Sequence, residues 1–260
     1  MADSDVEPTK IPYKFLSEKD ELKLHIFPAS GEAPEGGRPA IVFFFGGGWV
    51  GGEPNQFYPQ CEHLAKRGMV AIAAEYRVKS RNDSTVTQSV ADGKSAIRYV
   101  RAHAAELGVN PDKIISAGGS AGGHVAACTG TLAAYDEPGE DMTVSSRPNA
   151  MILLNPVIDT TLGGYTGRML PKEGDKSLSP VHHVTKETPP TLICHGKADK
   201  TVPFANAIAF QKAMVAAGNH YVLDAYDDAG HGFFNPGRDG GKYYEAIVAT
   251  IDAFIDSLGW

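Results

Sequence analysis

Six apolar runs constrain the fold of this chain more than any other feature of its sequence. In chain order they are AIVFFF (40–45), MVAIAA (69–74), KIISA (113–117), AMILL (150–154), TLICH (191–195) and YVLDAY (221–226). Runs that do not alternate with polar residues are typical of strands buried on both faces. Such burial requires helices on both sides of a mainly parallel sheet.

The stretches between these runs supply the helices. Three of them, 55–68, 85–108 and 204–218, end on a glycine, the residue that a helix C-terminus favours. A fourth, 243–260, carries apolar residues at helical spacing. Two alternating segments near the start predict an antiparallel pair of strands. The sequence therefore predicts a single α/β domain over 1–260, with a twisted, mainly parallel sheet of about eight strands and helices on both faces.

Composition excludes several classes of partner. The 260 residues are 42% hydrophobic and carry a net charge of -7, without a basic stretch, so we expect neither nucleic acid nor a membrane surface as a partner. Three distant cysteines indicate neither disulfides nor a metal site. No signal peptide is visible, so we expect a cytoplasmic protein, or a secreted or periplasmic one whose leader was removed. The oligomeric state stays open.

The stretch GGSAGGH (118–124) lies where the strand 113–117 turns directly into a helix. A reactive hydroxyl at such a sharp turn needs small neighbours, and the pattern Gly-x-Ser-x-Gly around Ser120 provides them. The N-H of Ala121 then lies at a helix N-terminus, where it can stabilise a negative charge. An incidental serine in a glycine-rich turn stays open at this point, whereas a phosphate-binding loop is disfavoured because no Walker lysine follows.

Three further features decide between these alternatives. Gly46 to Gly48 follow an early strand, and successive glycines let backbone N-H groups face a developing oxyanion. Asp199 and His231 each follow a later strand, so a base and its orienting carboxylate come after Ser120 in the chain order of an α/β-hydrolase. Other candidate acids, which we consider less favoured, are Asp159, Asp224, Asp227 and Asp228.

The chain resembles the α/β-hydrolase esterases and lipases with an HGGGW-type loop, which include hormone-sensitive-lipase-like esterases and bacterial carbohydrate acetyl esterases. The motifs that carry the resemblance are GGGW (46–49), EYR (75–77), GGSAGGH (118–124), SP (179–180), HGKADKTVP (195–203) and GHGF (230–233). The resemblance implies Ser120 as nucleophile, His231 as general base and then acid, and Asp199 as its orienting carboxylate. It also implies N-H groups of Gly47, Gly48 and Ala121 as oxyanion donors, and no metal or cofactor.

One residue departs from the family pattern. The loop usually begins with a histidine that helps to hold it, and Phe45 stands there instead. Because the donors are backbone groups, activity is still expected, but the loop must be held by something else.

Aromatic and histidine residues add weaker candidates. Trp49, Tyr76 and Tyr165 are candidates for lining the substrate pocket, although aromatic residues at strand ends as often only pack the core. Residues 160–180 predict a short lid or rim loop, and a surface or lid role is favoured for His182 and His183 over a metal site. We expect His124 and His195 to be structural.

The size of the acyl group can be predicted from how much of the chain is available to form a cap or lid over the site. Because the first glycine loop comes so early in the chain, we expect no large N-terminal helical cap, and 160–180 is too polar for a lipase lid. We therefore expect hydrolysis of short acyl esters, above all acetyl esters of carbohydrate such as acetylated xylan. A serine peptidase, an amidase or formamidase, and a binding module without catalysis remain as alternatives.

Overall fold

An eight-stranded sheet organises the residues that the computed structural model describes, which are 6–162, 169–170 and 175–260. The strands are β1 (Thr9–Phe15), β2 (Glu21–Phe27), β3 (Arg38–Phe44), β4 (Val70–Ala74), β5 (Val109–Gly119), β6 (Ala150–Leu154), β7 (Thr191–Gly196) and β8 (Tyr221–Tyr226). Their order across the sheet is β1-β2-β4-β3-β5-β6-β7-β8. β2 runs antiparallel to both β1 and β4, and every pairing from β4 to β8 is parallel. The predicted mainly parallel sheet is therefore confirmed.

Seven α-helices connect the strands in the described part of the chain. They are α1 (Tyr58–Lys66), α2 (Lys79–Asn82), α3 (Val86–Ala102), α4 (Ala104–Leu107), α5 (Ala121–Thr131), α6 (Ala205–Ala216) and α7 (Tyr244–Ser257), and short 3-10 helices span Pro54–Phe57, Pro180–His183 and Arg238–Gly241. The expected single helix over 85–108 is wrong in one respect, because it divides at His103. The His103 ring N-H donates to the Tyr99 carbonyl at 3.1 Å, and its backbone leaves the helical region.

The sheet register brings the ends of β3 and β5 together. Phe44 of β3 pairs with Gly118 of β5, so the glycine loop and the serine turn leave the sheet side by side. β3, β4, β6 and β7 are almost wholly buried, as the apolar runs predict. The three cysteines are free and buried. Among the described residues no helix combines the length and apolar character that crossing a membrane requires.

The first turn of α5 contacts the backbone of β3 directly. A Cβ atom at Gly122 would lie 2.0 Å from the Phe44 carbonyl oxygen and 2.3 Å from that of Phe45. A Cβ atom at Gly118 would lie 2.5 Å from the Gly122 oxygen. Since backbone atoms cannot move aside as a flexible side chain can, only glycine fits at these two positions.

The contact at Gly122 predicts a loss of stability on substitution. We expect Gly122→Ala to lower the free energy of unfolding by about 1–3 kcal/mol, because the added methyl group forces α5 away from β3. Urea unfolding followed by circular dichroism measures the change. Gly237→Ala is the matched control, since a Cβ atom there meets nothing within 4 Å and φ is -85°. Equal stability of the two variants would contradict the close packing of α5.

Candidate active site

Ser120 occupies the sharp turn between β5 and α5. Its φ of 55° and ψ of -119° are rare for a residue with a side chain, and such a conformation costs about 1–3 kcal/mol. The Ser120 N-H donates to the Leu154 carbonyl at 3.0 Å, which ties the turn to β6. A Cβ atom at Gly119 would lie 2.3 Å from the Phe234 ring, so the turn has no room for a larger neighbour. The surrounding packing thus holds the strained backbone in place.

Three side chains from separate strand ends form one hydrogen-bonded row. His231 Nε2 lies 2.9 Å from Ser120 Oγ, and His231 Nδ1 lies 2.8 Å from Asp199 Oδ2. An ionised carboxylate only accepts hydrogen bonds, so Nδ1 carries the proton and Nε2 accepts the proton of the serine hydroxyl. The structure therefore brings together the three residues that the sequence singled out, in the geometry of a nucleophile, a base and its orienting group.

Asp199 is held in its ionised form. Its Oδ1 accepts the backbone N-H groups of Thr201 at 2.8 Å and Val202 at 2.9 Å. Burial acts to raise the pKa of Asp199, but the hydrogen bond from His231 and those backbone N-H groups outweigh it and hold the pKa below its ordinary value. The carboxylate is therefore fixed in position and charged beside the imidazole.

Three of the four alternative acids have other partners. Asp224 accepts hydrogen bonds from Tyr226 and Thr250. Asp227 pairs with Lys197 at the surface, and Asp159 accepts the backbone N-H and hydroxyl of Thr161. The contact with His231 belongs to Asp199.

The glycine loop presents backbone N-H groups beside Ser120. The Gly46 N-H donates to Gln56 Oε1 at 2.7 Å, whereas the N-H groups of Gly47, Gly48 and Ala121 have no acceptor among the described residues. Gly47 needs to be glycine, because φ is 132° and a Cβ atom would lie 2.1 Å from the Gly51 oxygen. These three N-H groups belong to residues that line the same cavity as Ser120 and His231.

That cavity has a volume of about 340 Å³. Its apolar walls come from Trp49, Val157, Val202 and Phe234. A second cavity of about 370 Å³ adjoins it and shares Gly46, Gln56 and Asn235 with it. The site can therefore hold a small apolar group near the serine and a second group beyond it.

Comparison with known proteins identifies the family. The BD-FAE family model matches residues 25–166 and 159–214, which is more than half of the chain. The chain belongs to the BD-FAE family. A solved structure of Thermogutta terrifontis esterase 2 phosphonylated by sarin is 46% identical, with a TM-score of 0.92 over 97% of this chain and 95% of that one. The same esterase has been solved with propionate and with butyrate bound. The predicted α/β-hydrolase esterase family is therefore confirmed.

Two curated relatives are also named as enzymes that hydrolyse esters. The probable carboxylic ester hydrolase LipM of Mycobacterium tuberculosis is 31% identical over 67% of this chain and 44% of its own length. The acetylxylan esterase of Xylanibacter ruminicola is 30% identical over 94% of this chain and 50% of its own length. The chain thus spans about half the length of these two relatives.

Phe45 of this BD-FAE protein is held in place by Tyr76. The Tyr76 hydroxyl donates to the Phe45 carbonyl at 2.7 Å, and the two rings stack with centroids 4.2 Å apart. The Arg81 guanidinium also lies over the Phe45 ring, 5.6 Å from its centroid. The expectation that Tyr76 lines the pocket therefore needs correction: Tyr76 is fully buried and supports the glycine loop. This pair and the hydrogen bond from the Gly46 N-H to Gln56 hold the start of the loop, where a histidine was expected to help.

Of the two remaining aromatic candidates, only Trp49 lies among the described residues. Trp49 lines the cavity at φ 59°, is 2% exposed, and packs edge-on against the His124 ring at 5.1 Å. Tyr165 lies outside the described residues, and so do most of the residues at the centre of the 160–180 segment, whose role as a lid or rim loop stays a prediction.

The other histidines make local contacts. The His124 Nε2-H donates to the Leu178 carbonyl at 2.7 Å and the His195 Nε2-H donates to the Val202 carbonyl at 3.0 Å, so both rings anchor loops that border the site. His182 contacts the Ser179 hydroxyl and His183 the Lys176 carbonyl, both at 2.9 Å. Over the described residues, no cluster of three or more His, Cys, Asp or Glu side chains could hold a metal ion.

Sequence reasoning missed two polar residues at the site. Gln56 holds the Gly46 N-H, and Asn155 Oδ1 accepts the Gly232 N-H at 2.9 Å. Gln56 gave no signal, because nothing local distinguishes a glutamine that bonds ten residues back. Asn155 did give one, since an Asn-Pro pair after the buried run AMILL marks a turn at a strand end.

The Tyr76 contact predicts a specific loss of activity. We expect Tyr76→Phe to lower kcat/KM for p-nitrophenyl acetate about tenfold, because the glycine loop loses the hydrogen bond that fixes it and its donors move. Tyr221→Phe is the matched control, since the Tyr221 hydroxyl of β8 donates to the Ala207 carbonyl of α6 at 3.3 Å, away from the loop and its support. Both variants lose about 1 kcal/mol of stability, and only Tyr76→Phe loses activity. Equal activity of the two would contradict a role in holding the loop.

His124 predicts a pH-dependent stability. Burial lowers the pKa of His124 from 6.5 to about 4, and the hydrogen bond to Leu178 offsets only part of that effect. The unfolded chain therefore binds a proton between about pH 6.5 and 4 that the folded chain does not, so stability falls by about 3 kcal/mol as pH drops through this range.

Urea unfolding of His124→Gln at about pH 7 and about pH 4 isolates this contribution. Glutamine can still donate to Leu178 but does not titrate, so we expect the variant to lose about 3 kcal/mol less than the parent protein over that range. His220→Gln, at an exposed site, should behave as the parent protein does. An unchanged pH dependence in His124→Gln would refute the assignment.

Proposed function

We propose that this protein is a carboxylic ester hydrolase that cleaves short acyl esters, above all acetyl esters of carbohydrate such as acetylated xylan, through Ser120, His231 and Asp199. The observation that carries the proposal is the hydrogen-bonded row in which Nε2 and Nδ1 of His231 lie 2.9 Å from Ser120 and 2.8 Å from Asp199. Acyl transfer to a serine needs this arrangement of nucleophile and base.

The reaction has two half-reactions. Ser120 Oγ attacks the ester carbonyl carbon while His231 Nε2 takes the hydroxyl proton, and a tetrahedral oxyanion forms. The C-O bond to the alcohol then breaks, and His231 returns the proton to the leaving oxygen. Water attacks the acyl-enzyme in the same way, with His231 again as base and then acid, and the carboxylic acid and free Ser120 result.

Backbone N-H groups stabilise the oxyanion in this proposal. Gly47, Gly48 and Ala121 contribute them, and each such donor in related chemistry is worth about 10²–10³-fold in rate. The N-H of Ala121 also lies at the first turn of α5, where the helix dipole favours negative charge. Asp199 stabilises the imidazolium that forms at His231 and keeps its ring oriented. The mechanism calls on no metal or cofactor.

A short acyl group fits the space around Ser120. The cavity of about 340 Å³ is bounded by Trp49, Val157, Val202 and Phe234, which leaves a small apolar volume for the acyl chain. The similar esterase of Thermogutta terrifontis binds propionate and butyrate, which supports this size range.

A polar alcohol fits the adjoining cavity. Its lining includes the amide residues Asn55, Gln56 and Asn235 and the prolines at 59 and 236. It also includes Glu53, whose carboxylate pairs with Arg81 at 2.6 Å. Amide groups bond hydroxyls without requiring a charge, which suits a neutral carbohydrate. The similar acetylxylan esterase of Xylanibacter ruminicola supports the same choice of alcohol.

The first test is hydrolysis of p-nitrophenyl acetate, butyrate and octanoate, with acetate release from acetylated xylan. We expect kcat/KM to fall steeply with acyl length, because Trp49, Val157 and Val202 bound the cavity next to Ser120. Ser120→Ala should lose at least about 10³-fold in rate, since no nucleophile remains. Ser116→Ala, which alters a buried serine on the same strand, is the control and should stay active.

Two outcomes would contradict the proposal. Full activity of Ser120→Ala would exclude the serine mechanism. Failure to cleave any of these esters, together with cleavage of p-nitroanilides or formamides by the intact protein, would identify a peptidase or an amidase on the same fold.

A further inference from the structure

The end of β6 connects the serine turn with the histidine loop. Leu154, its last residue, accepts the Ser120 N-H at 3.0 Å through its carbonyl oxygen. Asn155, the next residue, accepts the Gly232 N-H at 2.9 Å through Oδ1, and Gly232 directly follows His231. The Asn155 N-H in turn donates to the Cys194 carbonyl of β7 at 2.8 Å. Two consecutive residues therefore hold the backbones on both sides of the Ser120 and His231 contact.

We propose that Asn155 is a positioning residue for His231: its side-chain oxygen fixes the loop that carries the imidazole, and its neutrality leaves the imidazole free to act as a base. This inference rests on the proposed function. It assigns to Asn155 no contact with the substrate or the reacting atoms.

The backbone of Asn155 restricts which residues can do this. Its φ of 36° lies in the left-handed region, which glycine, asparagine and aspartate tolerate best. The side chain is 0% exposed, so any replacement must also be short. Of the three tolerated residues, only asparagine and aspartate offer an oxygen to the Gly232 N-H.

The choice of asparagine over aspartate does not follow from hydrogen bonds. Asn155 Nδ2 is buried and has no hydrogen-bond partner among the described residues, so a second oxygen at that position would break no contact within this part of the protein. What would change is the charge. Two titratable groups interact with His231 in the described chain: Asp199, at 2.8 Å, and His195, whose ring lies 3.6 Å from the same carboxylate.

A carboxylate at position 155 would add a second negative charge beside the His231 loop. Opposite charges favour the protonated imidazole, and a protonated His231 cannot accept the proton of Ser120. The amide therefore keeps the acceptor oxygen without that charge.

Two variants separate the acceptor from the charge. Asn155→Gly keeps the backbone conformation and removes the acceptor, so we expect kcat to fall on the order of 10–100-fold with KM for p-nitrophenyl acetate changed less than about threefold. Asn155→Asp restores the acceptor, so its kcat at high pH should return to within about threefold of the parent protein, while the acid limb of its pH-rate profile moves to higher pH. Asp239→Gly is the matched control, because Asp239 also has positive φ, at 49°, and lies at the surface.

A readout independent of turnover accompanies the kinetics. The proton on His231 Nδ1 bonds to a carboxylate and should give a strongly downfield ¹H NMR signal, assigned by its loss in His231→Gln. We expect the signal to be sharp in the parent protein, Asn155→Asp and Asp239→Gly, and broadened or lost in Asn155→Gly.

The outcomes distinguish this inference from the proposed function. Parent-like kcat and a sharp signal in Asn155→Gly would overturn the positioning role, and so would failure of Asn155→Asp to recover activity. A pH-rate profile of Asn155→Asp that superimposes on the parent profile would overturn the argument from charge. Absence of ester hydrolysis by the parent protein, with the signal still lost in Asn155→Gly but kept in Asn155→Asp and Asp239→Gly, would reject the proposed function and support the positioning role.

Discussion

The contact between Gly122 and the end of β3 is the constraint on which the site depends. Because a Cβ atom at Gly122 would lie 2.0 Å from the Phe44 oxygen, α5 can start this close to β3 only through glycine. The same approach sets Ser120 and Ala121 beside the loop that begins at Gly46. Nucleophile and candidate oxyanion donors are thus brought together by backbone packing, which is stiffer than any contact between flexible side chains.

Three consecutive residues after β4 connect the glycine loop to other parts of the fold. Glu75 accepts the N-H of Lys23 and contacts His25, which ties β4 to β2. Tyr76 holds Phe45 through a hydrogen bond and ring stacking. Arg77 pairs with the buried Asp92 of α3, which also takes a hydrogen bond from Lys14. One short segment therefore links the sheet edge, the glycine loop and a helix on the face of the sheet.

Features that depend on a few neighbouring residues could be predicted from the sequence, whereas contacts between residues far apart in the chain could not. Ser120, Asp199, His231 and the glycine loop follow from motifs a few residues long at strand ends, and the strands themselves follow from apolar runs. Tyr76 illustrates the limit, because an aromatic residue at a strand end fits a pocket wall and a loop support equally well. Only the fold, which brings Tyr76 into contact with Phe45 31 residues earlier in the chain, decides between these two roles. Gln56 and Asn155 act on residues 10 and 77 positions away, so no local pattern could assign their partners.

Backbone strain collects around the candidate site for a geometric reason. Six non-glycine residues of the described chain have positive φ, and three of them, Trp49, Ser120 and Asn155, follow the ends of β3, β5 and β6. Ser120 and Asn155 directly follow β5 and β6, so the chain must turn there as soon as it leaves a buried strand, whereas Trp49 lies in the glycine loop that follows β3. A gentler turn would relieve about 1–3 kcal/mol at each residue. It would also move Ser120 Oγ away from His231, and so the strain is the cost of a short, direct hydrogen bond between them.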